Sequence, residues 1–207
     1  MLTIYGRTNS VNVQKVLWCL AELDVPYERI DAGLAYGKNH DAWYLALNPN
    51  ARVPLLVDGA FSLWESNTIV RYLASKHGAG TLWPTSPEPR ALAERWMDWQ
   101  LSTPLRPVTI AFQGLIRTLP EAREPQAIAA AVREANVAFG ILDAHLTAQP
   151  YVAGETFTMG DIPVGALAYR WLALGGIDRP PFPALTAWQA RLATRSAFRR
   201  HVMLPLS

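Results

Sequence analysis

Apolar and polar positions along the first 78 residues change period several times. LTIYG (2–6) predicts a short strand, and SVNVQKVLWCLAELD (10–24) sets Val13, Val16, Leu17 and Leu20 at one-face helical spacing. After the Val25-Pro26 break, YERID (27–31) alternates like a half-buried strand. A loop carrying Gly33 and Gly37 leads to DAWYLALNP (41–49), a short helix stopped before Pro49. VPLLV (53–57), a turn at Asp58-Gly59 and FSLW (61–64) predict a β-hairpin. ESNTIVRYLASKHG (65–78) closes the unit as a helix, with Gly78 at its C-cap. The order is βαβ, then αββα.

Residues 79–88 are rich in proline and small residues, the composition of a linker. No convincing strand follows. Segments 89–103, 124–149, 160–176 and 182–202 carry helical periodicity, so 89–207 is expected to form an all-α domain behind an α/β domain at 1–78.

Composition narrows the function. Half of the 207 residues are hydrophobic and 17% are charged, which describes a folded globular chain. The net charge is +2, and the lysines and arginines are spread without a basic block, which argues against nucleic acid as a partner. One cysteine, Cys19, allows no intramolecular disulfide, and the four histidines have no metal-ligand spacing, so no metal is expected. There is no run of 18 apolar residues and no signal-peptide pattern in residues 1–20, so the expectation is a cytoplasmic protein without a membrane partner.

The stretch ARVPLLVDGAFSLWES (51–66) sets a proline at the start of a strand, where proline cannot donate to a ladder. If the Val53-Pro54 bond is cis, Val53 turns its N–H and C=O away from neighbouring strands and leaves them free to pair with a bound peptide. Twelve residues on, Glu65-Ser66 opens a helix whose free N–H groups suit a carboxylate, while the Glu65 side chain suits an ammonium. Ser66 also reads as a simple N-cap and Pro54 as an edge residue. The hairpin joining them brings both toward one edge of a small sheet.

The βαβ-αββα order, NPNARVP (48–54), WES (64–66) and an all-α second domain resemble the glutathione transferase family over essentially the whole chain. The resemblance implies a thioredoxin-like first domain, with Val53 pairing the cysteinyl part of glutathione and Glu65-Ser66 binding its γ-glutamyl end. It also implies that TMGD (158–161) is a structural capping box starting at Thr158 and closing at Asp161. Ala51 departs from the family's usual glycine and resists positive φ, so the loop is expected to differ in shape there. Arg52, with Asn39 or His40, is the candidate partner for the glycyl carboxylate of glutathione.

A glutathione thiol has a pKa of about 8.5 and needs a donor to ionise at neutral pH. By resemblance to theta-like and bacterial nu-like members, Ser10 holds the position of the thiol-contacting serine and Asn12 that of an asparagine on the same turn; Asn9 lies within reach. Tyr5 is the runner-up, because other classes use a tyrosine at the end of this strand. Ser10 also suits a plain N-cap, and the two roles are compatible. Cys19, flanked by Trp18 and Leu20, reads as a buried apolar residue. Trp96, Trp99, Arg106, Phe112 and Trp171 are candidates to face a second substrate, and Asp98 to reach a glutathione amine across a dimer interface. The resemblance thus implies a homodimeric detoxification enzyme joining glutathione to a small hydrophobic electrophile. A disulfide reductase or peroxidase on the same site, and a non-catalytic interaction module, are the alternatives.

Overall fold

The computed structural model describes residues 1–207. Its first part is a four-stranded sheet of β1 (Leu2–Tyr5), β2 (Tyr27–Ile30), β3 (Leu55–Asp58) and β4 (Phe61–Trp64), in the order β2-β1-β3-β4. β1 runs parallel to β2 and antiparallel to β3, and β4 is antiparallel to β3. Period-two alternation divides the sheet's faces: Leu2, Ile4 and Leu56 join the main core with α1 (Val11–Glu22) and α3 (Ser66–His77). Tyr5 and Leu55 turn the other way, toward Tyr44 of α2 (Ala42–Leu47). This is a thioredoxin-like domain.

The register decides where the chain's special segments meet. Tyr5 pairs with Leu55, and Leu55 with Trp64, so the three residues form one row across the sheet. The segment following β1, the Val53-Pro54 step before β3 and the Glu65-Ser66 step after β4 therefore emerge at the same end.

The second part is helical: α4 (Pro87–Ser102), α5 (Leu105–Phe112), α6 (Pro125–Leu146), α7 (Asp161–Ala173), α8 (Pro183–Ala193) and α9 (Ser196–His201). One apolar cluster runs from Ile4 in the sheet through Trp18 of α1 to Trp171, Trp188 and Phe198. α1 packs on α3 on one side and on α7 and α9 on the other. Gly165 of α7 permits this approach, since a Cβ there would lie 2.7 Å from Leu192 and 3.1 Å from the Trp18 ring. Glu22 at the end of α1 receives two hydrogen bonds from Arg195, at 2.8 and 2.7 Å, which tie the two parts together.

Asp161 fixes the start of α7. It is fully buried and accepts from the Thr158 N–H at 2.9 Å, the Val152 N–H at 3.0 Å and the Trp188 indole at 3.2 Å, while the Thr158 hydroxyl bonds the Gly160 N–H. The capping box is thus formed, and its carboxylate also pins α8. Burial pushes the Asp161 carboxyl up to about 6, against the pull of these donors.

Two helical expectations need correction. Residues 182–202 form two helices, because Arg195 adopts an extended backbone between them, where its guanidinium meets Glu22. Residues 105–117, unassigned from the sequence, form α5 and a wider π-helical turn over Gln113–Arg117. Pro107 lies in the first turn of α5, where a missing N–H costs little. Gly78 does cap α3, with φ −121°, outside the left-handed region; it is needed for close packing, its Cβ position lying 2.8 Å from Leu23.

Candidate functional site

At the shared end of the sheet, Val53-Pro54 is a cis peptide bond, and neither the N–H nor the C=O of Val53 has a partner within the chain. Three side chains hold the loop that delivers it. Tyr44 hydroxyl and Asn48 amide both donate to the Arg52 carbonyl, at 2.7 and 2.8 Å, and the buried Asn39 amide donates to the Ala51 carbonyl at 2.7 Å. Ala51 itself takes φ +53°, so the loop keeps the left-handed turn without glycine, contrary to the expected change of shape. Tyr44 carried no signal in the sequence and Asn48 entered only as the first residue of NPNARVP; both act on the main chain from a distance of several residues.

Glu65 sits at φ +70° and leads into α3, where Ser66 is buried and Glu65 is exposed. Beneath Ser66 lies Lys15 of α1, completely buried, donating to Gln100 Oε1 at 2.9 Å, Asn67 Oδ1 at 3.1 Å and Ser66 Oγ at 3.5 Å. Asn67 in turn donates to the Met97 carbonyl at 2.8 Å, so the network joins α1, α3 and α4. Burial lowers the Lys15 ammonium to about 7, opposed by Glu65 and reinforced by Arg170. A basic group under a helix N-terminus suits a carboxylate at Ser66. The helical period marked Lys15 only as a polar position; its burial depends on α4, far along the chain.

Two adjoining clefts occupy this end of the sheet. One, of about 210 Å³, is walled by Val53, Pro54, Glu65 and Ser66; the other, of about 350 Å³, by Ser10, Val53, Asn39 and residues of α5 and α7. Asn12, Arg52, Val53 and Leu105 belong to both. Ser10 is the N-cap of α1, with extended backbone, yet its hydroxyl makes no capping hydrogen bond to the helix. That leaves it available to a ligand at the positive end of the helix dipole. Asn12, in the first turn of α1, has a buried Oδ1 without a partner.

The structure therefore brings Ser10, Asn12, Asn39, Arg52, Val53, Glu65 and Ser66 together and places other candidates elsewhere. Tyr5 packs tilted against Trp43 and edge-on to Tyr44, at centroid distances of 5.1 and 6.4 Å, outside both clefts. His40 is exposed and lines neither cleft, and Asn9 donates to the carbonyl and hydroxyl of Ser207. Asp98 is ion-paired with Arg71 of α3. Trp96 packs against Trp99 and His145, and Trp171 stacks on Phe139 in the core. Of the residues expected to face a second substrate, only Phe112 reaches the larger cleft. Cys19 is buried, and burial together with Glu22 pushes its thiol up, away from ionisation.

A thioredoxin-like domain with an open main-chain edge beside a cis-proline, backed by an all-helical domain, defines the class of molecule. Residues 1–75 match the model of the glutathione S-transferase N-terminal domain, and residues 105–196 that of the C-terminal domain. The chain is 46% identical to glutathione S-transferase GstB of Escherichia coli (strain K12), over 100% of both. It is 31% identical to glutathione S-transferase 3 of Zea mays, covering 97% of this chain and 93% of that one. A theta class glutathione S-transferase of Xanthomonas axonopodis pv. citri, solved with glutathione bound, superposes with a TM-score of 0.96 at 47% identity, covering 100% of this chain and 99% of the other. This chain belongs to the glutathione S-transferase family.

Proposed function

We infer that the protein is a glutathione transferase in which Ser10 stabilises the thiolate of bound glutathione. The reading rests above all on one observation: the Ser10 hydroxyl, uncapped at the N-terminus of α1, faces the same cleft as the unpartnered main chain of Val53. A cysteinyl residue paired with Val53 as an added strand carries its sulfur toward Ser10. The γ-glutamyl carboxylate then meets Ser66 and the α3 N-terminus above Lys15, and its ammonium meets Glu65. Arg52 and Asn39 lie on the side where the glycyl carboxylate ends. A hydroxyl donor and the helix dipole lower the thiol pKa from about 8.5, and the helical domain holds the electrophilic carbon in line with sulfur. Asn12 is the second polar group on this turn. The buried, un-ionised Cys19 supports conjugation over a mixed-disulfide reductase route.

The test is the ultraviolet thiolate absorbance of bound glutathione against pH in the wild type, Ser10→Ala and Tyr5→Phe, after calorimetry has established binding. The wild type is expected to titrate well below the free thiol, and Ser10→Ala alone to return it toward about 8.5, with a loss of roughly tenfold to a hundredfold in kcat/KM. A titration unchanged in Ser10→Ala rules out the serine role.

A further inference from the structure

Three arginines line the larger cleft: Arg7 from the loop after β1, Arg117 from the π-helical turn and Arg170 from α7. Arg170 and Arg117 lie over the Phe112 ring, with Cζ at 4.1 and 4.8 Å from its centroid. None of the three is paired with an aspartate or glutamate. Arg170 is only 8% exposed; it gives one hydrogen bond, 3.1 Å long, to the carbonyl of Asn9, next to Ser10, and its Nε has no partner. The Nε of Arg7 is likewise buried without a partner, and Arg117 donates to the Ser207 carbonyl at 2.8 Å. Burial and mutual repulsion act together: Arg170 is held down to about 9 by desolvation, Arg117 and Arg7, and Arg7 is lowered by burial and by Arg117.

Gathering three guanidinium groups on one cleft with no aspartate or glutamate paired to them is unfavourable, and the Phe112 face under two of them offsets only part of that cost. An anion in the cleft would satisfy the free donors and relieve the repulsion, since a guanidinium offers a planar fork matched to a carboxylate. The arrangement differs from the apolar lining expected for a hydrophobic electrophile.

We propose that the second substrate is an electrophile carrying a carboxylate, which Arg117, Arg170 and Arg7 hold while its reacting carbon faces Ser10. This rests on the transferase reading above. With an aryl chloride bearing a carboxylate, the thiol first loses its proton to water. The thiolate sulfur then bonds to the chlorine-bearing carbon, and the C–Cl bond breaks with chloride leaving on the electron pair. The carboxylate is unchanged and serves only as the handle.

The test compares para-chlorodinitrobenzoate with the matching chlorodinitrobenzamide, each kcat/KM being divided by its uncatalysed rate constant with glutathione. The expected result is a preference of at least about tenfold for the benzoate, reduced by about tenfold in Arg117→Gln, whose side chain is exposed, and partly kept in Arg170→Lys. In parallel, an unreactive nitrobenzoate and nitrobenzamide are titrated calorimetrically into protein saturated with S-methylglutathione. Tighter binding of the benzoate, lost in Arg117→Gln, supports the anion site independently of turnover. Equal treatment of acid and amide in both assays overturns it. So does an Arg117→Gln effect confined to the KM for glutathione, which would assign the arginines to a carboxylate of glutathione itself. Conjugation of neither compound defeats the transferase reading, and the calorimetric arm then decides the anion site.

Discussion

Replacing Lys15 with methionine changes how stability depends on pH, and the size of the change follows from the buried network under Ser66. In the folded chain the Lys15 ammonium is lowered from 10.5 to about 7. Between those values the unfolded chain holds a proton that the folded chain has released. Stability therefore rises with pH across that window, by at most about 1.4 kcal/mol per pH unit. The charged-lysine penalty is fully present below about pH 7 and is relieved toward pH 10.5. Over the whole window it amounts to about 4–5 kcal/mol. Methionine fills a similar volume and carries no charge, but it leaves Gln100 Oε1 and Asn67 Oδ1 with fewer donors. That loss is independent of pH over this range and drops out of the comparison. Urea denaturation of both proteins at about pH 7.5 and about pH 9.5 should find the wild type gaining about 2–2.5 kcal/mol on the variant. A difference between the two proteins that stays constant within about 0.5 kcal/mol would show that Lys15 does not titrate in this window, and the reasoning would fail.

Two further substitutions probe the scaffold. Asp161→Ala strands the N–H groups of Val152 and Thr158 and the indole of Trp188 in the core, and should cost about 3 kcal/mol or more in chemical denaturation; a loss below about 1 kcal/mol would mean that these donors find other partners. Ala51→Gly removes a Cβ from a residue at φ +53° and should raise stability by up to about 1 kcal/mol, a gain that would be absent if the turn relaxes in solution.

The cleft beside Val53-Pro54 and Glu65-Ser66 was legible because its parts are local. Val53-Pro54 and Glu65-Ser66 each announce a backbone geometry within a few residues, and the hairpin between them fixes their separation. Ser10 read from position alone as an N-cap, and its candidacy as the thiol donor came from the resemblance to theta-like and bacterial members. Arg7, Arg117 and Arg170 were not legible as a set, since they come from a loop, a turn and α7, and the burial of Lys15 was not legible either, since it depends on Gln100 of α4. α5 had been left unassigned; it holds a proline at 107, a residue disfavoured in helix interiors, which the fold accommodates in the helix's first turn. The tryptophans misled in the opposite direction, because large aromatic area in a helical domain is mostly spent on its core.

α1 belongs to both halves of the molecule: its Lys15 side faces α3 and α4, its Trp18 ring is wedged against Phe157 and Phe198, and Ser10 at its N-cap lines the larger cleft. A jaw-like opening about the cleft would pull Trp18 out of its socket and break the Glu22–Arg195 clasp. The walls of the site are thus a rigid frame. On the transferase reading, glutathione and product pass over its rim, where the turn at 34–38 is exposed.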